Sequence, residues 1–153
     1  MYATLKTLHL IGAVLLIGNV TVSAVWKVFA DRTGDVRVMR FSQRLITITD
    51  WSLTLSGILL LIAGGYGMLY IGGLSPIGLG WLVYGQLLFG VSGAIWLAVL
   101  VPAQVRLARE ARKLSQATGV TEAYRADNRL WLIWGVIATV PLVAAIYVMT
   151  AKP

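Results

Sequence analysis

Sixty-one consecutive residues, Leu45 to Val105, carry a single formal charge, Asp50. A helix rises about 1.5 Å per residue and the hydrocarbon core of a bilayer is about 30 Å thick, so this stretch exceeds one span and suffices for two. A turn between them falls where Gly72, Gly73, Ser75, Pro76, Gly78 and Gly80 cluster, because Gly and Pro puncture helices. Thr7 to Trp26 and Leu130 to Ala151 are further runs without formal charge, each long enough to cross. The expected fold is an all-α membrane protein, a four-transmembrane-helix bundle forming a single membrane domain over 1–153. Its spans fall at about 5–27, 45–70, 79–104 and 130–150. Lys6 and the run after it share features with a secretory signal, but the run is long enough to span and Lys27 follows it, so we expect it to be retained.

The composition fits a lipid solvent: 58% of residues are hydrophobic and only 12% charged. A soluble domain of that balance would expose large apolar patches. The net charge of +7 raises nucleic acid as a partner, and the placement of the cations argues against it. Lys27, Arg32, Arg37, Arg40 and Arg44 fall in one connection, 27–44. Arg106, Arg109, Arg112, Lys113, Arg125 and Arg129 fall in another, 105–129, whose first part has helical spacing and whose end is broken by Gly119 and Thr121. The connection 71–78 has no charge. Basic short loops stay on the cytoplasmic side, so an N-out/C-out bundle in a bacterial cytoplasmic (inner) membrane is expected, with anionic lipid headgroups as partners and no nucleic acid.

There is no cysteine, which excludes disulfides and thiolate metal centres, and one histidine, which excludes a bis-histidine heme or a multi-histidine metal centre within one chain. Chemistry must then be sought among intramembrane polar groups, which are costly in lipid. On the second span Gln43, Thr47, Asp50, Thr54, Gly57 and Gly64 share one face at helical spacing, whereas Leu59, Leu60 and Ile62 turn elsewhere. That stripe faces protein, either as a packing seam or as a proton or ion site at Asp50, with Asn19 of the first span as the intramembrane partner. His9 lies near the outer end of the first span, where Met68, Met149, Tyr66, Tyr147 and Gln86 also fall. A single axial ligand with methionine as the second would suit heme b; the simpler reading is an interfacial histidine bonded to a neighbour or to headgroup water. Trp26, Trp81 and Trp131 fall near interfaces, whereas Trp51, Trp96 and Trp134 lie deeper and pack.

The strings LKTLHLIGAVLLIGN at 5–19, WKVFADRTGD at 26–35, TDW at 49–51, GGYG at 64–67, LFGVSGAIW at 88–96 and VPAQ at 101–104 occur together. With them the chain resembles, over essentially its whole length, a bacterial family of predicted integral membrane proteins termed domain of unknown function 2269. The resemblance implies a multi-pass membrane protein and no particular reaction. Lys6 and His9 in an apolar first helix are also similar to the start of the membrane protoporphyrinogen oxidases and copper-resistance D proteins. That likeness implies His9 as a heme or metal ligand.

Two functions follow as expectations. One is a small heme-binding or redox-linked membrane protein with His9 as axial ligand. The other is a non-enzymatic membrane subunit or transport accessory in which Asp50 and Asn19 are structural or proton-relay residues. A transport path through four short helices would need a homo-oligomer or a membrane partner.

Overall fold

A computed structural model describes residues 1–115 and 119–152. Four long helices account for most of them: α1 (Tyr2–Arg32), α2 (Val36–Gly72), α3 (Gly80–Lys113) and α4 (Glu122–Ala151), each long and apolar enough to cross a membrane. Their outward surface is apolar, with Val14 71% and Val136 67% exposed, which suits acyl chains as solvent. The helices alternate in direction. Both termini and the connection between α2 and α3 therefore lie at one end, here the terminal end, and the arginine-rich connections lie at the other, the basic end.

The helices are longer than the apolar runs. α2 begins at Val36 rather than Leu45, α3 runs on to Lys113, and α4 begins at Glu122 rather than Leu130, so the basic segments 27–44 and 105–129 are largely helical. At about 1.5 Å per residue the helices reach some 45 to 55 Å, well beyond the hydrocarbon core. Hydropathy sees only the part in lipid; the overhangs are held by local chemistry. Asp35 caps α2 by accepting from the Arg37 amide at 2.7 Å. Thr121 caps α4 by accepting from the Tyr124 amide at 3.2 Å. Arg40 donates from Nε to the Ala111 carbonyl at 2.9 Å and from its other arm to the Arg112 carbonyl, which satisfies the end of α3. At the terminal end α2 stops at Gly73, whose φ of 63° is a left-handed conformation that glycine adopts without penalty.

Packing divides the bundle into two pairs. α1 lies on α2 through Gly12, Gly57 and Gly64, where small residues let the backbones touch. α3 lies on α4 through Gly85, which meets Met149, and through Ser92, whose hydroxyl donates to the Ala138 carbonyl at 2.7 Å. The pairs join at the basic end around Met39, Ile46, Ala103, Leu107 and Tyr124. Trp131, placed by its sequence near an interface, is a buried part of that core at 8% exposure. Toward the terminal end, the described residues of 55–72 make no close backbone approach to α3 or α4, and the pairs are linked by the Tyr66–Gln86 hydrogen bond. The firm junction is therefore at the basic end, and polar groups buried there sit in the best-packed part of the molecule.

Candidate functional site

Asp50 opens a π-helical turn, Asp50–Thr54, in α2, and a second π-helical turn, Trp96–Leu100, interrupts α3. Such turns insert a residue into the helix and re-aim the side chains that follow; they are common at functional sites. The two turns meet through their indole rings rather than their backbones. Trp51 and Trp96 meet edge to face, with ring centroids 6.5 Å apart and planes at 64°.

Asp50, 7% exposed, is held by uncharged groups. Asn19 Nδ2 donates to Asp50 Oδ1 at 2.8 Å and reaches Thr54 Oγ1 at 2.9 Å, while Thr54 Oγ1 donates to Asp50 Oδ1 at 3.3 Å. Ser23 donates to Asn19 Oδ1 at 3.4 Å, and Gln104 stands against the carboxyl group from α3. Asn19 and Asp50 are thus hydrogen-bonded, and the α2 stripe faces protein: Gln43, Asp50, Thr54, Gly57 and Gly64 are buried and Thr47 is half-buried. Among the described residues no cation lies within ion-pair distance of Asp50. Asp50 forms part of a cleft of about 240 Å³ between α2 and α3, walled by Trp51 and Trp96, with Gln104 beside Asp50 and Arg109 and Arg112 further along α3 toward the basic end.

A second buried polar cluster lies at the basic end. Lys27 Nζ donates to Asp31 at 2.8 and 3.0 Å and to Tyr124 Oη at 2.5 Å; Tyr124 Oη donates to Asp31 Oδ1 at 3.1 Å. The ammonium also stands 4.5 Å from the Tyr124 ring centre, a cation–π contact. Lys27 and Tyr124 are each 1% exposed. The count of headgroup-facing cations is therefore corrected: Lys27 is buried, because it shares the α1 face of Asn19, Ser23 and Asp31 and finds its counter-charge one turn away. This cluster ties α1 to α4. Lys27, Tyr124 and Gln104, which are buried, and Asp31, which is half-buried, carry no site role in the sequence analysis above. For Lys27 and Asp31, the spacing of 19, 23, 27 and 31 was the available signal.

The residues near the terminal end are engaged separately. His9 Nδ1 lies 2.7 Å from the Leu61 carbonyl, with its ring over Gly65, in the α1–α2 seam. Tyr66 donates to Gln86 Oε1 at 2.7 Å, and Gln86 Nε2 donates to the Pro76 carbonyl at 2.8 Å, which staples the connection between α2 and α3. Met149 packs on Gly85 in the other pair, and Met68 is half-buried on α2. Only Tyr66 and Gln86, of these five, are joined by a hydrogen bond. Among the described residues no three His, Cys, Asp or Glu side chains gather as a metal site.

No curated protein and no solved structure matches the chain. The model of the family described as predicted integral membrane protein (DUF2269) matches residues 3–153, and the chain, an integral membrane protein of four candidate spans, belongs to that family.

Proposed function

We propose that the chain is a non-enzymatic module of a bacterial cytoplasmic membrane, oriented N-out/C-out, whose working part is the cleft at Asp50. There it accepts a positive charge, a proton or an organic cation, from the cytoplasmic side. The observation that carries this reading is a carboxyl group buried among neutral donors, on a π-helical turn, with no cation beside it among the described residues. A negative charge in so dry a place requires compensation, and intramembrane carboxylates without a resident partner mark ion and proton pathways. The orientation is supported by the arginines at one end and the uncharged 71–78 connection at the other.

Infrared difference spectroscopy on the purified protein tests it. Adding ethylammonium, or stepping the pH between about 5 and 9, should perturb a carboxyl band that disappears in Asp50→Asn. Absence of any Asp50-dependent band under both treatments, with the helical content of the variant intact, would exclude the reading.

A second reading, a heme-binding or redox-linked protein, rests on His9. With Nδ1–H donated to the Leu61 carbonyl, Nε2 keeps its lone pair, and metal-bound histidines are oriented by this kind of backbone bond. The chain would supply His9 as one axial ligand, and Met68 is the methionine toward the terminal end of the same helix pair. Protein expressed with abundant heme should then show a Soret band that His9→Ala abolishes; a colourless protein, or an unchanged band, eliminates this function.

A further inference from the structure

The cleft carries uncompensated charge of both signs. Asp50 has no cation beside it, and at the other end of the cleft Arg109 and Arg112 have no acidic partner among the described residues. Their neighbours on α3 are neutralised: Arg106 binds Asp127 at 2.8 Å and Lys113 binds Glu110 at 2.6 Å. A single site thus holds an ammonium-type receptor, a carboxylate beside two indole rings, and an anion-type receptor, two guanidinium groups. Along α3, five to eight residues separate Gln104, which stands against Asp50, from Arg109 and Arg112, a rise of roughly 8 to 12 Å. That separation suits one small molecule carrying a positive group at one end and a negative group at the other.

We infer that the cleft binds a phosphoethanolamine headgroup, with its ammonium between Asp50, Trp51 and Trp96 and its phosphate on Arg109 and Arg112. This rests on the reading of Asp50 as an acceptor of positive charge and names what brings that charge. The volume of about 240 Å³ lies just below the usual range of small-molecule pockets, roughly 300–1,000 Å³, the scale of a headgroup and not of a whole lipid. The source is a phospholipid of the surrounding leaflet. Trp51 is 55% and Val105 42% exposed on the flanks of the cleft, so its wall continues into the apolar surface where acyl chains lie. Arginine grips phosphate by paired hydrogen bonds, and the indole faces favour an ammonium that keeps its protons for Asp50.

The protein is reconstituted in nanodiscs of equal phosphatidylethanolamine and phosphatidylglycerol, and the lipid retained after mild release is read by native mass spectrometry. The wild type should retain phosphatidylethanolamine about tenfold over phosphatidylglycerol, the scale of one charged hydrogen-bonded contact. Asp50→Asn should abolish that preference, and Asp50→Glu, which keeps the charge, should preserve it. Arg109→Gln with Arg112→Gln should lower retention of both lipids. Equal retention by the wild type, or an unchanged preference in a folded Asp50→Asn, overturns the inference. Binding of soluble phosphoethanolamine without lipid retention overturns the lipid source. If ethylammonium perturbs Asp50 and the phosphate adds nothing, the zwitterion is overturned while the Asp50 reading stands; if ethylammonium and protons are also without effect, both fall.

Discussion

Asp31→Ala should destabilise the protein by roughly 3–5 kcal/mol, because it strands the Lys27 ammonium in the core with no counter-charge. Lys27 is 1% exposed, and both Asp31 oxygens lie within hydrogen-bonding distance of its ammonium. Removing one member of a buried pair costs far more than removing both, since the remaining charge has lost its solvent and its partner. The double variant Lys27→Met, Asp31→Asn should therefore recover most of the loss, and Tyr124→Phe, which keeps the ring under the ammonium, should cost only about 1–2 kcal/mol. Unfolding of the micelle-solubilised protein by sodium dodecyl sulfate, followed by circular dichroism, reads the series. A double variant as unstable as Asp31→Ala would show that the cluster matters by shape and not by charge. Because Tyr124 belongs to α4 and Lys27 to α1, the loss should also loosen the junction of the two helix pairs at the basic end, on which the Asp50 cleft depends.

The spans were legible because the feature that defines them, an uninterrupted apolar run, is local. So was the α2 stripe: a period of 3.6 residues put Gln43, Thr47, Asp50, Thr54, Gly57 and Gly64 on one face, and the fold buries five of them and half-buries Thr47. Asn19 could be matched to Asp50 because both lie at similar depth on adjacent antiparallel helices. What escaped was set by tertiary contact. Lys27 reads as a loop cation because hydropathy treats any charge as the end of a span; its burial depends on Tyr124, 97 residues away. The two π-helical turns have no sequence signal of their own. Trp51 of one turn meets Trp96 of the other by their rings, beside Asp50. Gln104 was passed over for a related reason: it lies at the end of an apolar run, where a polar residue is ordinarily assigned to the headgroups, yet α3 continues past it to Lys113 and keeps it buried at 5% exposure.

Gly12→Ala and Gly64→Ala should each cost about 3 kcal/mol, the upper end of the overpacking range, whereas Gly93→Ala should be neutral or slightly stabilising. A Cβ on Gly12 would stand 2.5 Å from the Leu61 nitrogen and 2.6 Å from the Gly57 oxygen; on Gly64 it would stand 2.6 Å from both the His9 nitrogen and the Leu5 oxygen. These are backbone atoms of packed helices, so no rotamer change relieves the clash and α1 and α2 must part. Gly93 meets nothing within 4 Å, so alanine there brings only its better helix propensity. Detergent unfolding of the three variants separates close packing from any general intolerance of substitution in these helices. Equal behaviour at Gly12 and Gly93 would refute the close seam. The same experiment bears on the site, because this seam holds Asn19 within 2.8 Å of Asp50. Gly12 lies two turns from Asn19 on α1, so widening the seam there should lengthen that hydrogen bond. The Asp50 carboxyl band of Gly12→Ala should then shift even in the fraction that remains folded, whereas Gly93→Ala should leave it unmoved.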